Sequence, residues 1–283
     1  MLPQSGRLTV EDHSRNSAGM TYVYPVVSRR AGGISVGINL NPNSACNWRC
    51  IYCQVPNLVR GRPPPIDLAQ LRAELDEMLD AVVVGDFLET RVPDGQRRLI
   101  DVAFSGNGEP TSAAEFPQAV EIVVGILRQR NLLPGVKLRL ITNGSLIDRR
   151  GVREGIAAIG AGGGEVWFKV DAANSAAIAR INGSRTKTGS VERRLRLCGE
   201  LCPTWVQTCL FALDGQLPSE AEIAALVDFL GRCRDSIHGV HLYGLARPSA
   251  QPEAGRLSRA PASWLDAVAA YLRQEGLTTK VNP

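Results

Sequence analysis

Short apolar runs alternate along the chain with longer segments in which apolar residues recur every three or four positions. The short runs predict strands, and the longer periodic segments predict amphipathic helices. The predicted strands are Ile34–Leu40, Leu99–Ser105, Val136–Thr142, Glu165–Asp171, Thr204–Leu213 and Gly239–Leu245. The predicted helices are Leu68–Val83, Ala113–Arg130, Asp148–Ile159, Ser175–Ile181, Val191–Leu201, Ser219–Arg234 and Pro261–Glu275.

The alternation of strands with helices is typical of βαβ units and predicts a parallel sheet in an α/β fold. The six predicted strands fit a partial TIM barrel of the (β/α)6 type, and they also fit an open, doubly wound sheet. Both architectures bind ligands at the carboxyl ends of their strands. Turns with polar and metal-binding side chains follow several predicted strands, so we expect a functional site at that end.

The composition is that of an ordinary globular protein, with 44% hydrophobic and 21% charged residues. The formal net charge of +4 is compatible with a nucleic-acid partner but does not require one. No stretch approaches the roughly 18 apolar residues that a membrane-spanning helix needs, and the polar N-terminus lacks the apolar core of a signal peptide. We therefore expect a cytoplasmic protein without a membrane partner, whose seven cysteines are thiols or metal ligands.

Three parts are predicted along the chain. Residues 1–19 are polar and without periodic pattern, which indicates a flexible N-terminal extension. Residues 20–250 carry the alternating strands and helices of a core domain, and residues 251–283 form a C-terminal helical segment.

Three cysteines, Cys46, Cys50 and Cys53, lie within eight residues of the loop that follows the first predicted strand. Thiolates are preferred ligands of iron–sulfur clusters, and closely spaced cysteines in one loop can surround a cubane cluster. Three thiolates bind only three of its four irons, which leaves the fourth iron open to a small molecule. A zinc site or buried thiols are the alternatives, but a structural zinc site usually has four protein ligands. The further candidates, His13 and the cysteines from Cys198 onward, are distant in the sequence.

Two turns after predicted strands carry further polar residues. One reads Gly-Asn-Gly-Glu-Pro, in which Gly106 and Gly108 permit close approach to a ligand. The Glu109 carboxylate in the same turn can pair with an ammonium group. The other turn reads Ile-Thr-Asn-Gly-Ser and places Asn143 and Ser145 at the same edge of the sheet. A simple turn between a strand and a helix is the alternative explanation of each segment.

The fourth predicted strand carries two opposite charges. Side chains alternate between the faces of a strand, so Phe168 and Val170 are expected to face the outer helices. Lys169 and Asp171 then point into the barrel. Because unpaired charges are costly to bury, these two side chains are expected either to pair with each other or to contact a ligand.

The spacing CxxxCxφC, with the aromatic Tyr52 at the position φ, resembles the motif of the radical S-adenosylmethionine (SAM) superfamily. The resemblance implies a [4Fe–4S] cluster on Cys46, Cys50 and Cys53, with SAM bound to the open iron through its amino and carboxylate groups. An electron from the cluster then cleaves SAM reductively to methionine and a 5′-deoxyadenosyl radical, which abstracts hydrogen from an unknown substrate. The implied partners are SAM, that substrate, and a reducing electron donor such as flavodoxin or ferredoxin.

The same resemblance implies roles for the polar residues of the other motifs. Tyr52 would lie beside the adenine, and the turn of Glu109 would contact the amino group of SAM. The residues that would bind SAM, or in the last two cases SAM or substrate, are Tyr52, Gly106, Gly108, Glu109, Asn143, Ser145, Lys169 and Asp171.

The stretch from Ser28 to Asn39, together with the sequence SGNGEPT that begins at Ser105, is similar to one branch of this superfamily. That branch groups bacterial iron–sulfur oxidoreductase-like proteins with the tRNA wyosine synthases, so a tRNA base is an alternative substrate. The resemblance extends over residues 22–171 and is faint beyond. The wyosine synthases carry a second cluster on N-terminal cysteines, whereas this chain has no cysteine before Cys46, which counts against that activity.

The four remaining cysteines allow two interpretations. Cys198 and Cys202 are four residues apart and share a helix face, while Cys209 and Cys233 lie in later elements. The four cysteines either bind an auxiliary cluster or pack as small hydrophobic residues.

Other polar residues give weaker signals. His238 and His241 are expected to be ordinary polar residues near the last strand. Arg247, just past that strand, is a candidate for binding the substrate. Arg29 and Arg30 either bind an anionic group or are exposed cations.

The sequence thus predicts an enzyme with iron–sulfur radical chemistry. The alternative from another class is a non-enzymatic module, such as a nucleic-acid-binding protein stabilised by zinc. Only 5% of the residues are aromatic, and no stripe combines basic with aromatic residues, so the sequence offers little for that alternative.

Overall fold

The computed structural model describes residues 7–9, 15, 17–28 and 32–283 of the chain. The strands among them are β1 (Val23–Ser28), β2 (Gly33–Ile38), β3 (Ala45–Cys46), β4 (Val59–Arg60), β5 (Leu99–Phe104), β6 (Lys137–Thr142), β7 (Glu165–Lys169), β8 (Thr204–Cys209), β9 (Phe211–Leu213), β10 (Gly239–Tyr243), β11 (Leu257–Arg259) and β12 (Thr279–Asn282). The helices are α1 (Leu68–Val83), α2 (Phe87–Arg91), α3 (Phe116–Gln129), α4 (Arg150–Ala161), α5 (Ser175–Asn182), α6 (Thr188–Leu201), α7 (Glu220–Arg232) and α8 (Ala262–Gln274).

Eight strands form one sheet in the order β1-β2-β5-β6-β7-β8-β10-β12. β1 is antiparallel to β2, and every later pair of neighbours in this order is parallel. The sheet curls into part of a barrel, with β1 and β12 as its two edges. The predicted partial TIM barrel is confirmed, and each of the six predicted strands contributes one of its parallel strands.

The two edge strands are absent from the sequence prediction. β1 contains Pro25, which lacks an N–H donor and weakens a strand pattern, although an edge strand tolerates it. β12 has only four residues, too few for a recognisable alternation. The predicted strand Thr204–Leu213 is in fact two strands, because β9 leaves the main sheet after Leu210 and pairs with β11. The apolar run continues through both strands, so the sequence pattern gives no sign of this break.

Helices cover the outer face of the sheet and form the hydrophobic core with it. Phe104 of β5 and Phe116 of α3 meet edge to face, with ring centroids 5.7 Å apart. Phe168 of β7 is buried in the same core. Since successive side chains on a strand alternate, Lys169 faces the interior of the barrel, as predicted.

Part of the predicted N-terminal extension is among the described residues. Leu8 and Ala18 are buried in the core, and the Leu8 N–H donates to the carbonyl of Arg91 at 2.8 Å. At these positions the chain packs against the rest of the protein and departs from the predicted extension. Of the other sequence predictions, those for His13, Arg29 and Arg30 fall outside the described residues.

The C-terminal segment is helical only in part. α8 packs on the sheet, and β12 then joins the sheet beside β10. In the described part of the chain, no helix has both the length and the apolar character that crossing a bilayer requires.

Candidate active site

Loops at the carboxyl ends of the parallel strands surround a cavity of about 280 Å³. All three cysteines of the predicted motif lie on its wall, together with residues from the turns after β5 and β6 and from the end of β7. The predicted site residues that line the cavity are Cys46, Cys50, Cys53, Tyr52, Gly106, Gly108, Glu109, Asn143 and Lys169. The fold thus brings four separate parts of the chain to one place.

The loop that carries the cysteines is attached to neighbouring elements on both sides. Cys46 lies in β3, which pairs with β4. The N–H of Arg49 donates to the carbonyl of Asn182 at 3.0 Å. The N–H of Ile51 donates to the carbonyl of Ile181 at 2.9 Å. These carbonyls are at the end of α5, where the helix itself offers no partner, so the loop and the helix end satisfy each other.

The loop after β10 is attached to the far side of the cysteine loop. The Ser249 hydroxyl lies 2.7 Å from the carbonyl oxygen of Ile51 and 3.1 Å from that of Cys53. The buried Gln251 amide donates to the carbonyls of Cys53 at 3.3 Å and Val55 at 2.9 Å. These contacts converge on the backbone around Cys53 and fix its position.

Two side-chain contacts extend this attachment. Arg49 forms an ion pair with Glu253 at 2.9 Å, and Arg247 Nε donates to Gln54 Oε1 at 2.9 Å. Arg247 also lines the cavity, as expected for a residue that binds substrate. The loop after β10 therefore contributes both to the cavity mouth and to the support of the cysteines.

Burial dominates the electrostatics of two of the thiols. It raises the pKa of Cys46 to about 11, against the opposing hydrogen bond from the Trp48 N–H. It raises the pKa of Cys50 to about 12, although the ammonium of Lys169 and the amide of Asn182 favour the thiolate. Both groups are thiols at neutral pH in the chain alone, so binding a metal requires the release of their protons.

The donor set fits an iron–sulfur cluster better than a single metal ion. No three His, Cys, Asp or Glu side chains of the described residues converge closely enough to hold one ion. In a cluster the thiolates bind different irons, so three thiols spread along one cavity wall suit it. Cys46, Cys50 and Cys53 are half-buried residues, and all three line that wall.

Close backbone packing brings the glycine turn against the cysteine loop. A Cβ atom on Gly108 would lie 2.1 Å from the carbonyl oxygen of Ala45, the residue before Cys46. Gly106 has a φ of +135°, and a Cβ atom there would lie 2.5 Å from Asn39 Oδ1. Any side chain is thus excluded at both positions, which is why the turn can lie so close to the cysteines.

The Glu109 carboxylate is buried and accepts hydrogen bonds from its own chain. Its Oε1 accepts from the hydroxyls of Thr111 and Thr142, both at 2.6 Å. Its Oε2 accepts from the Asn143 N–H at 2.7 Å. Burial raises the pKa of Glu109, against the lowering effect of these hydrogen bonds. The carboxylate joins the turn after β5 to the end of β6 and so places both motifs on the same wall.

Asn143 and Ser145 follow β6 and are tied to the cysteine loop through Asn47. The Asn143 amide donates to Asn47 Oδ1 at 2.8 Å, and the Asn47 amide donates to Ser145 Oγ at 2.7 Å. Asn143 lines the cavity, whereas Ser145 lines a neighbouring cleft together with Asn47. Ser145 therefore supports the cysteine loop from outside the cavity.

Asp171 lies behind the cavity wall. Its Oδ2 accepts from the Tyr52 hydroxyl at 2.5 Å and from the Asn182 amide at 2.7 Å, and its Oδ1 accepts from the Cys209 N–H at 3.0 Å. The side chain does point into the barrel, as predicted, but it has no exposed area because these groups enclose it. Asp171 thus positions Tyr52 and does not itself line the cavity.

Lys169 is on the cavity wall beside two tyrosines. Its Nζ lies 3.8 Å from Asp171 Oδ2, 3.2 Å from the hydroxyl of Tyr243 and 4.8 Å from the ring centroid of Tyr52. Burial alone would lower the pKa of Lys169, but Asp171, with smaller contributions from Tyr243, Cys50 and Cys209, outweighs it, and that pKa lies well above its usual value. The side chain is therefore an ammonium at neutral pH, and the internal salt bridge expected between the two charges is present.

Several residues of the cavity wall are not predicted from the sequence, among them Arg15 and Gln54. Arg15 belongs to the predicted extension, and its Nη2 lies 3.4 Å from the carbonyl oxygen of Gly106. A single arginine in a polar segment gives no signal of such a contact. Gln54 also lines the cavity. Because it directly follows Cys53, its place in the sequence could have predicted this position.

His241 occupies a different part of the barrel interior. It lies in a pocket of about 210 Å³ with Arg139 and Glu165. Its ring centroid is 4.8 Å from those of both Trp167 and Trp205. The histidine is thus packed between aromatic rings, away from the cysteines.

The four other cysteines do not come together. Cys198, Cys202 and Cys233 are buried in the hydrophobic core, whereas Cys209 lies on the cavity wall. Cys202 and Cys209 are at opposite ends of β8, a separation of roughly 20 Å at the rise of an extended strand. Packing as small hydrophobic residues, the second interpretation, accounts for the three core cysteines.

Comparison with known proteins gives a family match over most of the chain. The family model described as the Radical SAM superfamily matches residues 40–230. This stretch includes the cysteine loop, both polar turns and β7. It ends before β10 and the loop that supports Cys53.

Individual relatives are more distant. The UPF0026 protein MJ1312 of Methanocaldococcus jannaschii is 31% identical over 159 residues, which are 56% of this chain and 42% of that protein. The GTPase Obg of Brachyspira hyodysenteriae is 22% identical over 217 residues, which are 74% of this chain and 28% of that protein. The chain spans less than half the length of these two curated relatives.

Among solved structures, the chain is similar to HydG, a maturase of the [FeFe]-hydrogenase. The TM-score is 0.57, with 10% sequence identity, over 87% of this chain and 50% of that one. At this identity the likeness concerns the fold alone.

Proposed function

Because this chain belongs to the radical SAM superfamily, we propose that it is an enzyme whose Cys46, Cys50 and Cys53 hold a [4Fe–4S] cluster beside a bound SAM molecule. The main observation in support of this proposal is that three thiols of one loop line the same cavity as the glycine turn and the polar ends of β6 and β7. When bound, the cluster supplies the electron that cleaves SAM to methionine and a 5′-deoxyadenosyl radical, which abstracts hydrogen from a substrate.

The amino group of SAM is assigned to the turn that contains Glu109. An ionised carboxylate has about four acceptor positions, two on each oxygen. Among the described residues, Oε2 accepts only the Asn143 N–H, so it retains one position for an ammonium group. Gly106, Gly108 and Glu109 all line the cavity, so the turn presents this carboxylate to a ligand bound there.

Tyr52 and Lys169 form the opposite part of the proposed SAM site. The Tyr52 ring packs on Phe211, with centroids 5.5 Å apart, and its hydroxyl is fixed by Asp171. A ring fixed at both ends offers a rigid surface beside an adenine. The Lys169 ammonium faces the cavity and can bind a carboxylate or a hydroxyl of SAM or substrate. Asp171 and Ser145 act by positioning their neighbours.

Anaerobic reconstitution tests the proposal. The wild-type protein should bind about four irons with sulfide, and reduction with dithionite in the presence of SAM should release 5′-deoxyadenosine. The variant with Cys46, Cys50 and Cys53 all changed to Ala should lose both properties. A control with Cys202→Ala and Cys233→Ala should keep them, because those thiols lie in the core. Formation of 5′-deoxyadenosine by the triple variant, or stoichiometric zinc without iron in the wild type, would refute the proposal.

The nature of the substrate stays a prediction from the sequence. A tRNA base is the alternative that the resemblance to the wyosine synthases suggests. Binding of bulk tRNA that weakens steeply with salt would support this alternative, since phosphate contacts release counterions. Binding that is absent at low salt would argue for a small-molecule substrate.

A further inference from the structure

Two segments beside the cavity carry positive charge without any acidic residue. Residues 41–66 contain three arginines and no Asp or Glu, and residues 172–191 contain two arginines, one lysine and no Asp or Glu. At the chain-wide frequency of 28 acidic residues in 283, between four and five would be expected in these segments. The imbalance is therefore local, in a chain whose formal net charge is only +4.

The fold places these two segments against each other. Arg60 donates a hydrogen bond to the carbonyl of Gly183. Arg60 and Arg185 line the same cleft of about 510 Å³, which also contains Asn47 and Ser145. Arg62 and Lys187 follow two residues after Arg60 and Arg185, respectively. Arg60 and Arg185 thus lie at one cleft outside the cysteine loop, and the exposed Arg62 and Lys187 lie two residues further along the same two segments.

Within the part of the chain that the structure describes, four of these six cations have no acidic partner. Arg49 pairs with Glu253, and Arg180 pairs with Glu222. The other four are exposed and form no ion pair with a carboxylate of the described residues. We call them the basic face: Arg60, Arg62, Arg185 and Lys187.

The basic face lies directly outside the cysteines. Arg60 of β4 is the register partner of Cys46 in β3, and paired strands are about 4.8 Å apart. Asn182, next to Gly183, donates to Cys50 Sγ at 3.3 Å. None of the four side chains of the basic face lines the cavity. The face is therefore close to the sulfur atoms but separate from the place where SAM and substrate are proposed to bind.

We infer that the basic face docks an acidic one-electron-transfer protein that reduces the cluster. This inference rests on the proposed function, because each reductive cleavage of SAM consumes one electron that has to come from outside the chain. In the docking step the partner loses one electron and the cluster gains one, and no covalent bond changes. A positive surface attracts a negative partner and raises the rate of productive encounter, most strongly at low salt.

An acidic protein suits this surface better than a phosphorylated ligand of the active site. A group that reacts in the cavity has to enter it, whereas electron transfer requires only short distance to the cluster. The four cations are spread over two loops and point to solvent, which is typical of a docking rim and not of an enclosed phosphate pocket. The four cations lie behind the cysteines and away from Arg247 at the cavity mouth. A partner bound there would be close to the cluster without entering the cavity, and electron transfer requires only that short distance.

The test compares two reductants on the reconstituted holoenzyme. The variant Arg62→Glu/Lys187→Glu reverses two charges that make no side-chain contact essential to the cysteine loop. With dithionite, its rate of 5′-deoxyadenosine formation should equal that of the wild type. With reduced flavodoxin as the electron donor at low ionic strength, its rate should fall by roughly tenfold or more, and the deficit should shrink as salt is added.

Two further variants make the test specific. Arg185→Gln removes a third charge while the Arg60–Gly183 hydrogen bond stays in place, so it should show a selective loss of the same kind and smaller size. The control Arg128→Glu/Arg273→Glu makes the same charge reversal at exposed sites. These two lie at the carboxyl ends of α3 and α8, at the opposite end of the barrel, so both rates should stay at the wild-type level.

Several outcomes would overturn the inference. An unchanged rate with flavodoxin would show that the face does not dock the donor. Equal losses with both reductants would place these residues in SAM binding or in support of the loop. Lower affinity for tRNA with an unchanged flavodoxin rate would assign the face to a polyanionic substrate. If the wild type forms no 5′-deoxyadenosine with dithionite, the proposed function fails and the inference fails with it.

Discussion

Tyr52 and Asp171 are joined by a hydrogen bond of 2.5 Å between the phenol oxygen and the carboxylate Oδ2. Both residues are buried, with exposed fractions of 8% and 3%. The same carboxylate accepts from the Asn182 amide and lies 3.8 Å from Lys169 Nζ. One buried charge thus connects the cysteine loop, the end of β7 and the end of α5.

Replacing Asp171 with Ala should destabilise the protein strongly. The change leaves the Lys169 ammonium without its carboxylate and removes the acceptor of Tyr52 and Asn182. Loss of one partner from a buried ion pair costs roughly 3–5 kcal/mol, because the remaining charge stays desolvated. Urea denaturation of the apo protein measures the change in the free energy of unfolding.

The matched control is Asp148→Ala. Asp148 pairs with Arg193 and Arg194 at the surface, where water compensates for lost pairs. Its removal should cost less than about 1 kcal/mol. Similar losses for both variants would contradict the role of Asp171 as a buried connection.

Gly108→Ala should prevent assembly of the metal site. The added methyl group would lie 2.1 Å from the carbonyl oxygen of Ala45, so β3 and Cys46 have to shift. Iron and sulfide content after anaerobic reconstitution measures the effect, and we expect most of both to be lost. Gly125→Ala is the control, since a Cβ atom there meets nothing within 4 Å. Gly125 lies in α3, so this change should stabilise the helix by about 0.5–1 kcal/mol and leave iron content unchanged. Full iron loading of the Gly108 variant would show that the loop tolerates the shift.

Local signals account for what the sequence predicts well. The predicted helix Leu68–Val83 matches α1 at both ends, because Asp67 caps its first turn and apolar residues recur along one face. The spacing of Cys46, Cys50 and Cys53 is equally local, since one loop carries all three thiols. Strand alternation correctly predicts that Lys169 faces the barrel interior.

Contacts between distant segments account for what the sequence does not predict. Strand alternation predicts the side of the strand on which the Asp171 side chain lies. It does not predict that Tyr52 and Asn182 donate hydrogen bonds to the Asp171 carboxylate. Ser249 and Gln251 follow the last predicted strand by several residues, and nothing in their neighbourhood indicates that they support Cys53. Such partners depend on how the ends of different strands meet, which a one-dimensional pattern does not contain.

Gln251→Leu should weaken the support of Cys53. The substitution keeps the approximate size of the side chain but removes the donors to the carbonyls of Cys53 and Val55. The Cys53 carbonyl keeps the Ser249 hydroxyl and the Ala250 N–H as donors, whereas the buried Val55 carbonyl loses the donor that Gln251 supplies. Leaving a buried carbonyl without a donor costs about 1–3 kcal/mol. We expect a lower urea midpoint and faster loss of the cluster absorbance on exposure to a chelator.

Two comparisons separate this effect from a general loss of stability. Gln118→Leu changes an exposed glutamine on α3 and should alter neither measurement. Ser249→Ala removes a neighbouring contact to Cys53 and should also accelerate cluster loss. Cluster loss at the wild-type rate in the Gln251 variant would show that the loop after β10 does not support the cysteine.

Glu165→Gln should reduce the dependence of stability on acid pH. Burial alone would raise the pKa of Glu165, but the guanidinium of Arg139, at 2.6 Å, and the indole N–H of Trp167 outweigh it and lower that pKa. A carboxyl whose pKa is lower in the folded state adds stability above its unfolded pKa of about 4.3 and loses it as pH falls through the folded value. The neutral amide of the variant does not titrate, so it makes no pH-dependent contribution to the free energy of unfolding.

At pH 7 the Glu165→Gln variant should be less stable than the wild type by about 1.5–3 kcal/mol, the range for hydrogen bonds to charged groups. Below the folded pKa the wild-type carboxyl is also neutral, so the two proteins should converge in stability as the pH falls from the unfolded pKa of about 4.3 through the lower folded pKa. Thermal or urea unfolding of the apo proteins across this range measures the difference. The exposed Glu154, which pairs with Arg150, is the control, and Glu154→Gln should shift the curve by less than about 0.5 kcal/mol at any pH. A difference between wild type and Glu165→Gln that stays constant down to pH 3 would mean that the charge on Glu165 contributes nothing, and that only its packing beside Trp167 matters.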